Sequence, residues 1–132
     1  MTKKNITIAL LDDNKVFTDT MSLILNKKGF NCIAYNNPEL FLSELDNISF
    51  DFLILDLMMP EKSGEEVLKE LSERGQLKKR HILIYSAKMF PREAIKDYPD
   101  ADIRAIRKPT STSKIIDIIL EISGNKKAII NG

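Results

Sequence analysis

The sequence predicts an α/β protein: a doubly wound sheet of five parallel strands with helices on both faces. Two observations carry that expectation. Five short apolar runs alternate with segments of helical spacing, and two of the runs, FLIL at Phe52–Leu55 and ILIY at Ile82–Tyr85, have no polar face. Strands of that kind belong to parallel sheets covered by helices on both sides. The chain has 132 residues, enough for one domain with a substantial core. No repeat or low-complexity segment interrupts the alternation, as an open doubly wound sheet requires.

The first strand is expected at Ile6–Leu11 and the second at Phe30–Tyr35. The third and fourth are the two apolar runs, and the fifth is Ile103–Ile106. Thr7, Asn31 and Arg104 interrupt the first, second and fifth, which points to partial exposure or edge positions. Phe17, Met21 and Ile24 fall on one face of a first helix. Leu40, Phe41 and Leu45 form a second stripe, opened by Asn37-Pro38 as a helix start. Val67, Leu68 and Leu71 form a third. A shorter fourth helix begins near Pro91 and stops before Pro99. Gly29 and Gly75 stand where helix C-terminal caps would fall.

The last helix, Thr112–Ser123, differs from the others. Ile115, Ile116, Ile118, Ile119, Leu120 and Ile122 cover an arc of about 200° at 100° per residue. Two readings stand: a generously buried helix, or a surface for a partner or a second copy. The remaining residues, 125–132, read as a C-terminal tail or the start of a linker, leaving 1–124 as the domain.

Composition excludes several classes. The formal net charge is +1, with 43% hydrophobic and 30% charged residues, so no broad attraction to nucleic acid or membrane is expected. No apolar run is long enough to span a bilayer, and the apolar stretch after Lys3-Lys4 breaks at Asp12, too early for a signal peptide. The lone Cys32 rules out an internal disulfide framework and fits a reducing cytoplasm; as a residue it reads as a small buried hydrophobe. His81 follows Lys78-Lys79-Arg80 at a strand start and reads as a solvated edge residue. One His and one Cys make neither a zinc cluster nor a Cys–His catalytic pair.

In open α/β sheets ligands bind outside the carboxyl ends of the strands. Four of the five predicted strands carry a chemical group there: Asp12-Asp13 after the first, Asp56 after the third, Ser86 after the fourth and Lys108-Pro109 after the fifth. The second ends in Tyr35-Asn36, with no such group. Two carboxylates about 5 Å apart repel by about 3 kcal/mol at an effective dielectric near 20. A divalent cation removes that cost, and an all-oxygen site favours Mg²⁺ over zinc. A cation, an ammonium and a hydroxyl facing one carboxylate are what the oxygens of a phosphoryl group require. Asp56 is therefore a candidate nucleophile forming an aspartyl-phosphate.

These motifs resemble the receiver domain of two-component response regulators. The residues that carry the resemblance are Asp12-Asp13 after LL, Asp56 in LILDLMMP, Gly64, Ser86-Ala87 after ILIY and Lys108-Pro109. It covers roughly residues 5 to 123. It implies a flavodoxin-like fold with strand order 2-1-3-4-5, and a phosphoryl group accepted by Asp56 from a histidine kinase or phosphotransfer protein. It further implies direct Mg²⁺ ligation by Asp13, Asp56 and the backbone carbonyl of Met58, with Asp12 acting largely through water. Lys108 would pair with the phosphoryl oxygens, and Ser86 would move to hydrogen-bond them. The readout would be the face of the fourth helix, fifth strand and fifth helix, binding a downstream protein or a second copy. Direct nucleic-acid binding by this domain is not expected. The family often has a cis bond before the proline, so Lys108-Pro109 is a candidate.

Three positions depart from or qualify the pattern. The family usually has an aromatic three residues before the lysine; here it is Ala105, which puts an aromatic switch in doubt. Phe90, just before Pro91, is not expected to replace it. Met58 and Lys88, each two residues after a site residue, occupy positions that tune phosphoryl lifetime in the family.

The rival readings are weaker. A receiver-like interaction module independent of phosphorylation has Ala105 in its favour and five competent site positions against it. An aspartate-nucleophile phosphatase would want an acid two residues after the nucleophile, where Met58 stands. A dinucleotide-binding turn needs Gly-x-Gly-x-x-Gly, and LLDDNKVF has no glycine. Two settings are expected: a stand-alone receiver that acts through protein contacts, or one part of a longer regulator.

Overall fold

The computed structural model describes residues 6–124; the expected tail at 125–132 lies outside them. Five parallel strands form one sheet: β1 (Thr7–Leu11), β2 (Asn31–Tyr35), β3 (Phe52–Leu55), β4 (His81–Ser86) and β5 (Asp102–Arg107). Their spatial order is β2-β1-β3-β4-β5, as the family resemblance implied. Between and after them run α1 (Lys15–Lys27), α2 (Pro38–Ser43), α3 (Gly64–Glu73), α4 (Arg92–Ile95) and α5 (Thr112–Ser123).

Side chains along a strand alternate between faces, and the two cores divide on that rule. Ala9, Leu11, Leu53, Leu55, Ile82 and Ile84 point to one side. There they pack on Phe41 and Leu42 of α2 and on Val67, Leu68 and Leu71 of α3, with Ala94 and Ile95 of α4 partly buried at the rim. Ile8, Leu10, Phe52, Ile54, Leu83 and Tyr85 point the other way, onto Met21 and Leu25 of α1 and Ile115, Ile116 and Ile119 of α5. The runs without a polar face are buried along their whole length because both sides carry helices.

Local chemistry sets the helix starts. The side chains of Asn14, Asn37, Ser63 and Ser111 each accept an N–H from the first turn of α1, α2, α3 and α5. Ser63 and Glu66 complete a reciprocal capping box on α3. Gly29 and Gly75 have φ of 97° and 68°, the left-handed conformation a helix exit needs.

Of the two readings of Thr7, partial exposure holds: it is half-buried on β1, which is interior between β2 and β3, while β2 and β5 are the edges. The second helix is shorter than its stripe. Leu45 lies beyond its end and is still buried, whereas Leu40 is 51% exposed. The wide arc of α5 agrees with the first of its two readings, a generously buried helix: Ile115, Ile116 and Ile119 are buried, and Ile118, Leu120 and Ile122 are partly buried against the same core. Cys32 is buried in β2, as read. His81 stacks on Phe52 at a centroid distance of 4.9 Å, with Nδ1 3.1 Å from Asp102 Oδ2.

Candidate functional site

Register brings the acids together. Leu11 pairs with Leu55 across β1 and β3, so Asp12 and Asp56 follow on adjacent strands at one level. Ser86 pairs with Arg107 across β4 and β5, which sets Lys108 beside it. The main chain ties each residue in place. Asp56 N donates to Leu11 O at 3.0 Å, Asp12 N to Tyr35 O at 3.2 Å, and Lys108 N to Ser86 O at 2.9 Å. Burial of the strands beneath makes these anchors rigid.

Asp12, Asp13 and Asp56 each offer a carboxylate oxygen, and these lie within 4.8 Å of one another. Asp12 and Asp56 are buried and Asp13 is exposed. The Lys108 ammonium reaches Asp12 Oδ2 at 2.7 Å and Asp56 Oδ2 at 3.4 Å. Burial raises the Asp12 pKa above the ordinary carboxylate value, against the opposing pull of Lys108 and the Asn14 amide. For Lys108 burial alone would lower the pKa; the hydrogen bond and charge of Asp12, with Asp56 behind, outweigh it and raise the pKa. The ammonium is therefore held charged between two carboxylates.

The other expected residues also gather here. Ser86 is fully buried and its Oγ accepts the Lys88 N–H at 3.2 Å. Met58 donates its N–H to Asp56 Oδ1 at 3.2 Å and leaves its side chain largely exposed. Gly64 is forced by space. A Cβ there would collide with the Asp56 carbonyl oxygen and stand 2.8 Å from Leu57 Cα. The Lys108–Pro109 peptide is cis. Ala105 is exposed on β5, and Phe90 is buried in the core rather than standing in for an aromatic on that face.

Several contributors were missed from sequence. Asn36 braces the main chain at Asp12: its Nδ2 donates to the Asp12 carbonyl at 2.9 Å and to Thr18 Oγ1 at 2.7 Å. Asp12 Oδ1 accepts the Asn14 N–H at 2.9 Å, so one residue closes the strand and organises the start of α1. The rings of Phe17 and Tyr85 lie 5.4 and 5.3 Å from the Lys108 ammonium, within cation–π range. The Tyr85 hydroxyl accepts the Thr110 N–H at 3.2 Å and lies 3.3 Å from the Thr110 carbonyl, bracing the turn after Lys108. A usable signal existed for Tyr85 alone, a hydroxyl on an otherwise apolar strand directly before Ser86. Phe17 and Asn36 meet the site only through the fold.

Comparison with known families matches residues 8–120 to the response regulator receiver domain. The chain belongs to that family. Receiver domains are the signalling inputs of two-component response regulators, and the relatives agree. Transcriptional regulatory protein CpxR of Klebsiella pneumoniae is 41% identical over 69 residues, 52% of this chain and 29% of that protein. Probable transcriptional regulator ycf29 of Pyropia yezoensis is 28% identical over 112 residues, 85% of this chain and 50% of its own. The chain thus spans about a third to a half of the curated relatives it matches. Among solved structures, the Francisella response regulator 1452 receiver domain is similar with a TM-score of 0.76 at 20% identity, covering 93% of this receiver and 99% of that chain. The Thermotoga maritima response regulator TrrA, solved in complex with Mg(2+)-BeF, has a TM-score of 0.72 at 22% identity, covering 88% and 97%. At these identities the structural likeness speaks to the fold.

Proposed function

We propose that this receiver takes a phosphoryl group from a histidine kinase or phosphotransfer protein onto Asp56, in a Mg²⁺-dependent reaction. We further propose that the modification switches the α4-β5-α5 face to control a downstream protein partner or self-association. The observation that carries the reading is the convergence of Asp12, Asp13 and Asp56 with the Lys108 ammonium, one strand from Ser86.

The residues present fit the metal. Their side-chain donors are all carboxylate oxygens, which suit a hard cation and offer no nitrogen or sulfur to zinc or copper. Asp13, Asp56 and the Met58 carbonyl would hold it directly, and Asp12 through water. When bound, Mg²⁺ supplies charge neutralisation at the phosphoryl oxygens. The chain supplies the rest. An Asp56 carboxylate oxygen attacks phosphorus and forms a P–O bond. The P–N bond of the donor phosphohistidine breaks, and its electron pair leaves with the imidazole nitrogen, which takes a proton from solvent. Lys108, already charged and braced by Phe17 and Tyr85, follows the transferred oxygens.

Aspartyl phosphate carries nearly two negative charges and three acceptor oxygens. Ser86 binds them better in one arrangement of the β4–α4 loop than the other, so modification shifts an existing equilibrium. Amide shifts on the α4-β5-α5 face that stay fixed after BeF₃⁻ addition would overturn this part. A cytoplasmic location fits the lone buried thiol, and no helix among the described residues is long and apolar enough to cross a membrane.

The test is incubation with acetyl phosphate or phosphoramidate and Mg²⁺, read by mass. The expected result is a gain of one phosphoryl group that disappears in Asp56→Asn. An unmodified wild type, or equal gain in the variant, would sink the reading. The exposed Ala105 favours a second possibility, a module whose contacts do not depend on phosphorylation; the unmodified result would select it.

A further inference from the structure

Lys88 and Glu65 have no role in the reaction as proposed, yet they meet at its edge. Glu65 is the second residue of α3, and the first, Gly64, packs on the backbone of Asp56 and Leu57. That contact fixes Glu65 on the bank facing the β4–α4 loop. Lys88 follows Ser86 by two residues, with its N–H on the Ser86 hydroxyl. Its ammonium lies 2.7 Å from Glu65 Oε2, and the side chain remains 55% exposed. The other Glu65 oxygen, Oε1, is buried and has no hydrogen-bond partner.

This ion pair is easily parted. Only one Glu65 oxygen is engaged, so the contact is a single charge-assisted bond rather than a two-pronged one. Lys88 is a point charge on a flexible four-carbon stem in a part-exposed pair, the kind that contributes little to stability. A phosphoryl group on Asp56 brings more charge and more acceptor oxygens than one carboxylate can offer.

Resting on the phosphoacceptor reading of Asp56, we propose that Lys88 is a relocating cation, parked on Glu65 at rest and drawn to the modified Asp56. Glu65 is then a positioning residue that competes with the phosphoryl group for Lys88. Removing the Glu65 charge frees the lysine and strengthens anion binding at Asp56, while removing Lys88 weakens it. With Lys88 gone, Glu65 has nothing left to compete for. The signs separate this from a simple latch, in which breaking the pair from either side would act alike.

The experiment titrates BeF₃⁻ with Mg²⁺ into wild type, Glu65→Gln, Lys88→Gln and the double variant, followed by ¹⁹F and amide resonances. Glu65→Gln is expected to bind about two- to fivefold tighter and Lys88→Gln weaker by a similar factor. The double variant should match Lys88→Gln. Before fluoride is added, Glu65→Gln should already move the amides of residues 86–90. Equal affinities, or shifts of the same sign in both single variants, would overturn the inference while leaving the receiver reading intact. A wild type that binds no BeF₃⁻ would overturn both.

Discussion

Gly64 shows how closely a single residue can be tied to a site it never enters. Its N–H donates to the Leu57 carbonyl at 3.0 Å, and its missing side chain lets α3 begin directly on the backbone of Asp56. The obstacle to a Cβ there is main chain, which cannot swing aside as a flexible side-chain end can. Gly64→Ala is therefore expected to cost about 1–3 kcal/mol, the range for forced overpacking. Denaturant unfolding would measure it, and the amides of residues 56–58 should move with it. A variant of wild-type stability with unmoved amides would refute the assignment. The same scale explains what sequence reading could see. An acid closing an apolar strand, as Asp56 does, stands out because burial there is costly without a purpose. Phe17 does not stand out, because an aromatic at helical spacing reads as core until the fold sets its ring beside Lys108.

Among the elements, α3 and α4 make the sharpest contrast. α3 runs ten residues, carries a capping box and buries Gly64, Val67, Leu68 and Leu71. α4 runs four residues, has Pro91 at its N-cap with no side-chain hydrogen bond, and buries none of its residues. So short a helix has little cooperative hydrogen bonding to hold it, and local opening tracks the scarcity of buried contacts. Amides of α4 should exchange at least about a hundredfold faster than those at the centre of α3. Equal protection in hydrogen exchange would contradict this. The weakness sits where a switch would need it, four residues beyond Lys88. The short fourth helix was legible, because Pro91 and Pro99 bracket it and few apolar residues lie between. The end of α2 was not: Leu45 keeps the helical spacing of the stripe but is buried from the turn that follows, a packing outcome that periodicity cannot distinguish.

At the scale of the whole molecule, the strand order decides where charge collects. The chain winds outward from β1 in both directions, so the ends of β1 and β3 form the crevice where strand order reverses. Apolar periodicity made the five strands legible, and the polar groups at their ends made most of the site legible. The contact between Lys108 and Asp12 was not, because it closes 96 residues of chain and depends on the crossover that puts β5 beyond β4. One ammonium against three carboxylates leaves the crevice under net repulsion, partly at the expense of stability. Asp13 is exposed, so removing its charge disturbs no packing. Two opposite effects of Asp13→Asn are therefore expected. Without Mg²⁺ the variant should melt at or slightly above the wild type, because a like charge has gone. With Mg²⁺ the wild type should gain about 1.4 kcal/mol at a concentration ten times its Kd, and the variant much less, since a ligand stabilises only the state that binds it. The melting curves of the two proteins should thus exchange order on adding the metal. If Mg²⁺ leaves the wild-type midpoint where it was, or lifts both proteins equally, these carboxylates do not form a metal site.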